Sequence, residues 1–383
     1  MVGNSKKEDC CGCGACYEAC NKHAIIMKED NEGFVYPEVN EQSCTQCGLC
    51  EKVCPFMGKY ENKCIDTLMY AAYVKNENER INSSSGGIFG VIAQYVIQQG
   101  GVVCGAAYDE NFGVSHILID NVEDLYKLKG SKYLQSDNQG EFGKIKGQLL
   151  NGRSVLYSGT ACQVAALKKF LGKNYDNLLT IDVLCHGVPS PKLWKKYIHE
   201  LEMEHQSKVK TVNQRGKENG WKTFSMAIQF ENGSQLLEKF TNNSYMKLFL
   251  SNICLRPSCY HCQYKEMNRP SDFTIGDYWG VDKQIPTMDD DKGTSLIKIN
   301  TSKGKEVFER IKDEIVYKVV EMDIALPPTA DSRKSVAIHP KREKFFKKLD
   351  RRTVSILVRM LEPSKLVKIK NKVRYKIRRI SHH

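Results

Sequence analysis

Eight cysteines fall before residue 55 in two runs of one spacing. Cys10, Cys13, Cys16 and Cys20 read C-x2-C-x2-C-x3-C, and Cys44, Cys47, Cys50 and Cys54 repeat it, followed by Pro55. Two residues between cysteines let one tight loop present three thiolates to three corners of an iron–sulfur cubane. The fourth, further along, reaches the neighbouring cubane. This spacing predicts one [4Fe–4S] cluster on Cys10, Cys13, Cys16 and Cys54 and a second on Cys44, Cys47, Cys50 and Cys20. Zinc knuckles need paired C-x2-C elements and fit four-cysteine runs poorly. Gly12, Gly14 and Gly48 lie inside the loops, where the backbone must pass close to the cluster. Two features depart from the pattern: Asn21 stands where proline usually follows the fourth cysteine, and Cys11 is a spare thiol.

A second cysteine group lies in LRPSCYHCQYK, where Cys259 and Cys262 form one C-x2-C and Cys254 precedes them. Two thiolates cannot complete a site. Cys162 and Cys185, at the ends of expected α/β strands, and Cys254, by proximity, are the candidate partners. A third cluster, a structural zinc and unligated thiols all remain open on spacing alone. Cys104 sits inside an apolar strand and reads as a small buried hydrophobe.

Three loops could bind an anion. Ser83-Ser84-Ser85-Gly86-Gly87 opens an expected helix, with Ser84 or Ser85 as its N-cap. Ser158-Gly159-Thr160 reads as a strand, a glycine turn and a helix start. Gly130-Ser131-Lys132-Tyr133 adds a lysine that would by itself be a solvated surface charge. Together the three suit the phosphates of a dinucleotide. Neither a G-x-G-x-x-G fingerprint nor a Walker loop is present, so a standard NAD or ATP site is not supported.

The elements that must position these residues are legible in outline. Ala24–Met27 and Phe34–Pro37 form an expected hairpin around Asn31-Glu32-Gly33, too small to have much core without its clusters. After Lys63 the pattern becomes α/β: strands at 68–74, 102–108, 115–120, 154–157 and 178–184, helices at 87–99, 141–150 and 162–171, and a further helix after Pro191. From about residue 205 the chain is richer in strand, with a meander at 209–214, 223–230 and 235–240. A helix near 245–251, strands at 273–275 and 296–300 and a closing helix follow. The expected class is α+β multidomain: a ferredoxin-like dicluster domain over 1–62, an α/β flavin-binding part over 66–200, a β-rich part with the second cysteine group over 201–340, and a basic helical tail over 341–383.

Composition bounds the function. The chain has 383 residues, 16 cysteines and a formal charge of +12. The charge belongs to the tail: 341–383 holds 16 Lys/Arg and three Asp/Glu, leaving the first 340 residues near neutral. The start lacks an apolar signal segment, and the longest apolar stretch, Ile88 to Ile97, is short and carries Gln94. The expectation is a reducing cytoplasm with thiolates used as metal ligands. The tail interleaves Val354, Ile356, Leu357, Val358 and Leu361 with Arg351, Arg352 and Arg359. It is a candidate for peripheral contact with an anionic membrane, against the plainer reading of a packing helix with a charged end. Nucleic-acid binding is not favoured, for want of interleaved aromatics.

In order, the motifs are the dicluster runs, SSSGG, GSKYLQS, GTACQVAAL, DVLCHGVPSP, LRPSCYHCQYK and SDFTIGDYWG. This series resembles the family of beta subunits of coenzyme F(420)-reducing hydrogenases and dehydrogenases, over roughly residues 8 to 340. The family also includes a plant 7-hydroxymethyl chlorophyll reductase and bacterial members encoded among polysaccharide biosynthesis genes. The resemblance implies FAD in the α/β part, with Ser85, Gly86, Gly87 and Lys132 at family flavin-loop positions and Gly159 and Thr160 in the neighbouring loop. It implies a third [4Fe–4S] cluster on Cys162, Cys185, Cys259 and Cys262. Ala161 replaces the proline usual in that family's Gly-Thr-Pro-Cys-Gln. His186 is a candidate proton source beside the flavin, and Asp277 and Trp279 candidate pocket walls. The expected activity is a flavin- and iron–sulfur-dependent oxidoreductase taking electrons from ferredoxin or another reduced carrier to an unknown small-molecule or glycan-pathway substrate. The alternatives are an electron-transfer subunit without its own substrate site and a non-catalytic scaffold at the membrane surface.

Overall fold

Nearly every position of Leu68–Val74, Leu178–Val183 and Ser295–Ile299 is buried or partly buried, the pattern of strands covered on both faces. In the computed structural model, which describes residues 2–58 and 68–362, these strands lie inside one eight-stranded sheet. Thirteen strands form three sheets among the described residues. β1 (Ile25–Glu29) and β2 (Val35–Val39) make the predicted N-terminal hairpin. β8 (Val209–Gly216), β9 (Ser225–Phe230) and β10 (Gln235–Lys239) make the predicted meander, turning at Gly233. The large sheet runs β13-β3-β12-β11-β7-β6-β4-β5. Its strands are β3 (Leu68–Val74), β4 (Val102–Tyr108), β5 (Val114–Ile119), β6 (Val155–Thr160), β7 (Leu178–Val183), β11 (Phe273–Asp277), β12 (Ser295–Ile299) and β13 (Ile315–Val320). The centre, β4-β6-β7-β11, is parallel, and the flanking pairs are antiparallel.

Strands from both sides of residue 200 therefore share one sheet. The stretch 201–340 is not a separate β-rich body: β11, β12 and β13 complete the sheet begun by β3 to β7. Helices Ile88–Gln98 and Ser302–Ile311 cover one face with Val91, Ile92, Val96, Phe308 and Ile311. Helices Glu141–Leu150 and Ala161–Leu171 cover the other with Phe142, Ile145, Val164 and Leu167. A third core joins the meander to helices Pro191–His205 and Ser244–Leu250 around Trp194 and Tyr245.

The first part of the basic tail packs into that third core. Phe345 on helix Arg342–Leu349, together with Leu349, Val354 and Leu357, is almost wholly buried. The packing reading therefore holds for 341–362; the more basic end lies outside the described residues. Deleting 341–383 should lower the urea midpoint of the body, because truncating even one buried Phe or Leu costs about 2–5 kcal/mol. An unchanged midpoint would contradict this packing. Among the described residues no helix is long and apolar enough to cross a membrane.

The N-terminal module is tied to the body by several polar contacts. The Glu18 carboxylate accepts N–H bonds from Gly140 (3.0 Å), Phe142 (3.4 Å) and Gly143 (2.8 Å), capping helix Glu141–Leu150 where its dipole favours an anion. Lys169 Nζ donates to the carbonyls of Cys54 (2.8 Å), Met57 (2.5 Å) and Gly58 (2.9 Å). The hairpin turn is held by Ser190 Oγ on the Glu32 carbonyl (2.5 Å) and by a bidentate Arg342–Glu32 pair.

Candidate redox site

Each cysteine run turns at a glycine in the left-handed region, Gly14 (φ 79°) and Gly48 (φ 74°), followed by one helical turn, Ala15–Glu18 and Leu49–Lys52. A side chain there would be strained, so glycine is what brings the third thiol of each run back toward the other two. A cavity is lined by Cys10, Cys13, Cys16 and Cys54, with Pro55 and Phe56 at its wall. Burial, then the charges of Cys13, Cys10 and Cys54, push the Cys16 thiol far up. Burial likewise pushes Cys54 up to about 11, with the charges of Cys13 and Cys10 adding to it. Four thiolates so placed repel one another, and a cationic iron core supplies the missing compensation; the residues fit the predicted first cluster.

The second set faces outward. Cys20 and Cys50 pack beside Met27 and Val39, while Cys47 and its neighbours Thr45, Gln46 and Gly48 are exposed. Matched in register, Gly12 of the first run corresponds to Gln46 of the second. The first is crowded by the body: a Cβ on Gly12 would lie 2.6 Å from Gln135 Nε2 and 2.7 Å from Arg256 Nη1. The two runs thus divide the labour between solvent and body.

Where the body meets the first run, the later cysteines gather. Cys162 opens helix Ala161–Leu171 after β6, and Cys185 follows β7, at adjacent C-terminal ends of parallel strands. Cys259 and Cys262 arrive on the 3-10 turn Pro257–His261 and its end. Like-charge repulsion links Cys259 to Cys185, Cys162 and Cys262, and burial raises all but Cys162, Cys185 to about 12. Cys162 is pulled down to about 7, first by a hydrogen bond from Cys11, with further help from Thr160 and the Arg256 charge. The Cys11 thiol is raised, with its neighbours Cys13 and Cys162 as the largest causes. Cys11, read from sequence as spare, therefore stands close to a thiol of the N-terminal module and to one of the body. Cys254 is excluded from the group. It is wholly buried in the third core, and no other thiol is among the causes of its raised pKa.

Loop geometry is fixed by a buried ion pair. Arg269 Nε donates to Asp182 Oδ1 of β7 at 3.2 Å, both side chains being almost wholly buried, and Arg269 Nη2 donates to the Val183 carbonyl at 2.9 Å. Lys265 Nζ donates to the Cys185 carbonyl at 2.6 Å. Among the described residues no three His, Cys, Asp or Glu side chains converge as ligands of one metal ion would.

Two of the three polar loops, 83–87 and 130–133, meet. Ser84 Oγ accepts from the Ser131 N–H at 2.6 Å, and the Arg215 guanidinium donates to the Ser84 carbonyl (3.1 Å), the Tyr133 hydroxyl (3.2 Å) and Asp277 (3.0 Å). Several expectations are corrected. Helix Ile88–Gln98 is capped by Gly87 (φ 88°), not by Ser84 or Ser85. Gly86 is required by the sheet: a Cβ there would meet the Ala72 carbonyl at 2.4 Å. Ser85 Oγ donates to the Thr294 carbonyl at 3.1 Å. Gly159 and Thr160 belong to β6, so no glycine turn precedes the helix; the Thr160 hydroxyl lies 3.1 Å from Cys162 Sγ. Lys132 is not a solvated charge. Its Nζ donates to the carbonyls of Lys127 and Lys129, both at 2.8 Å, and burial draws it down to about 7.

Sequence reasoning missed Lys217. Its Nζ donates to the carbonyls of Arg80, Ser85 and Lys292 at 2.6–2.7 Å, and burial plus the charges of Arg80 and Arg215 draw it to about 7. Both lysines are thus held on backbone carbonyls and both are lowered by burial. His186 Nε2 lies 2.7 Å from Asn252 Oδ1. Its ring meets Phe249, which meets Tyr133, so one aromatic ring separates the histidine from the lysine loop. Trp279 is half exposed and stacked on Trp221, whose Nε1 donates to Asp277.

Comparison with known proteins accords with this construction. Residues 9–57 match the 4Fe-4S dicluster domain. Residues 69–140 match the N-terminal domain of the coenzyme F(420) hydrogenase/dehydrogenase beta subunit, and residues 152–324 its C-terminal domain. An F(420)H(2) dehydrogenase subunit of Methanosarcina mazei is 26% identical over 134 residues, 32% of this chain and 38% of that protein. An uncharacterised ferredoxin of Methanocaldococcus jannaschii is 37% identical over 49 residues, 13% of this chain and 62% of its own length. The chain thus spans less than two thirds of either relative. A chain of the F(420)-reducing [NiFe] hydrogenase complex from Methanosarcina barkeri is similar at a TM-score of 0.45 and 16% identity, covering 76% of this chain and 90% of that one. This chain, an iron–sulfur protein with an N-terminal 4Fe-4S dicluster domain, belongs to the family of the coenzyme F(420) hydrogenase/dehydrogenase beta subunit.

Proposed function

We propose that this chain is a flavin-dependent iron–sulfur oxidoreductase subunit that leads electrons inward along three cysteine sets. The outermost is Cys20, Cys44, Cys47 and Cys50, of which Cys47 is exposed where a ferredoxin-type donor protein could dock. Next is Cys10, Cys13, Cys16 and Cys54. Innermost is Cys162, Cys185, Cys259 and Cys262, which would hold a third [4Fe–4S] cluster. The closeness of Cys11 to both Cys13 and Cys162 supports this reading, because it sets the thiols of the Cys10 set beside those of the body. FAD, when bound, converts single electrons into the pairs that most organic substrates require. Lys132, Lys217 and Arg215 would hold its phosphates. His186, oriented by Asn252, would hold a proton for the reduced product. That the Methanosarcina mazei relative is itself named as one subunit of a dehydrogenase supports work alongside a partner protein.

The cysteine assignment is tested by Cys259→Ala. Iron per chain should fall by one cluster's worth, about four, with the N-terminal iron intact; loss of all iron, or of none, would contradict it. The lysine assignment has a pH signature. Free Lys132 and Lys217 titrate near 7, and a bound anion raises both, so FAD binding takes up protons above that pH. Affinity measured by fluorescence on flavin-free protein should fall as pH rises from about 6 to 9. A flat or rising profile would place the phosphates elsewhere.

A further inference from the structure

Arg256 is wholly buried at the junction of module and body, and among the described residues it makes no ion pair with a carboxylate. Its Nε donates to the Cys10 carbonyl at 2.7 Å. Its Nη1 donates to Gln135 Oε1 at 2.8 Å, and its Nη2 donates to the Val35 carbonyl at 2.9 Å and lies 3.6 Å from Cys10 Sγ. The guanidinium also lies over the Tyr36 ring, 4.4 Å from its centroid. Apart from Cys10 Sγ these partners are neutral, so the positive charge is spent on thiolates. At the matching position of the second run stands Gln46, which is exposed.

Burying an arginine without a carboxylate is costly unless something else bears the opposite charge. A cubane on four thiolates carries net negative charge, and one unit more after reduction. A fixed cation in a desolvated setting therefore favours the reduced form, and net charge and hydrogen bonds to sulfur are the levers that set such potentials. The outer set, in water, has its charge screened. We infer that Arg256 is a positioning residue that raises the reduction potential of the cluster on Cys10, Cys13, Cys16 and Cys54 above that of the outer cluster, so that an electron arriving from outside settles on the side facing the body. This inference requires the two N-terminal clusters and is independent of the third cluster and the flavin.

The test is a potentiometric titration followed by electron paramagnetic resonance on anaerobically purified full-length protein, with Cys47→Ser identifying the outer cluster's signal. In Arg256→Gln the inner cluster's midpoint should move to more negative potential while the outer midpoint stays. Arg256→Lys should retain most of the native value. Because Arg256→Gln also removes a clamp and could fail to load iron, Gln135→Glu provides a second arm: it keeps an acceptor for Nη1 and neutralises the guanidinium in place, and the same selective negative shift is expected. An unchanged inner midpoint in Gln135→Glu, or equal shifts of both clusters in either variant, would overturn the inference.

Discussion

If the proposed relay holds, replacing Cys162 with alanine slows donor-driven reduction of the proposed flavin by on the order of a hundredfold or more, equivalent to an added barrier of ~2.7 kcal/mol or more, while the N-terminal iron remains. Cys162 is the thiol of the body that meets Cys11 at the junction, and its helix begins where β6 ends. Helix Ala161–Leu171 buries Val164, Ala165, Ala166 and Leu167 against the sheet and does not depend on the thiol, so the fold should survive the change. Stopped-flow mixing with a reduced ferredoxin-type donor, following flavin bleaching, reads the effect directly. Native rates in the alanine variant would mean that electrons reach the flavin by another route. Cys254→Ala is the matched control. That thiol is as deeply buried but lies apart from the others, and its loss should leave the rate unchanged.

Arg269→Met is expected to destabilise the body by about 3–5 kcal/mol, because it removes one partner of a fully buried ion pair and strands the other. Asp182 has no solvent to fall back on, and burial already holds its carboxyl above the usual range. The penalty should be smaller for Asp182→Asn combined with Arg269→Met, since the double variant leaves no buried charge. Urea unfolding followed by circular dichroism measures both. A shift within that of a surface substitution would show that the pair is dispensable and that other contacts position the Cys262 loop.

The N-terminal cysteine sets were legible because iron–sulfur ligation imposes a local spacing, and local spacing survives in sequence. The strand pattern was legible for the same reason: β3 and β4 carry periodic apolar runs bounded by turns. β13 was overlooked, although Ile315, Val316, Tyr317, Val319 and Val320 are strand formers; a short run after a helix was read as a domain end. The division at residue 200 misled because sheet order is not chain order, and β11 pairs with β7 across some ninety residues. The junction residues were invisible. Glu18, Gln135, Lys217 and Arg256 are ordinary polar residues whose meaning comes from what folding places opposite them. Cys11 was seen but left idle, since its partner Cys162 is distant in sequence. The loop at 83–87 is shaped by other causes than an anion site: Gly86 serves sheet packing, and the helix cap is Gly87.

Anaerobic purification of the full chain followed by iron, acid-labile sulfide and flavin counts tests the relay most directly. With three four-iron sites and one flavin site, the account predicts about twelve irons and one FAD per chain. About eight irons and no flavin, even after reconstitution, would contradict it and leave an electron carrier that ends at Cys10, Cys13, Cys16 and Cys54.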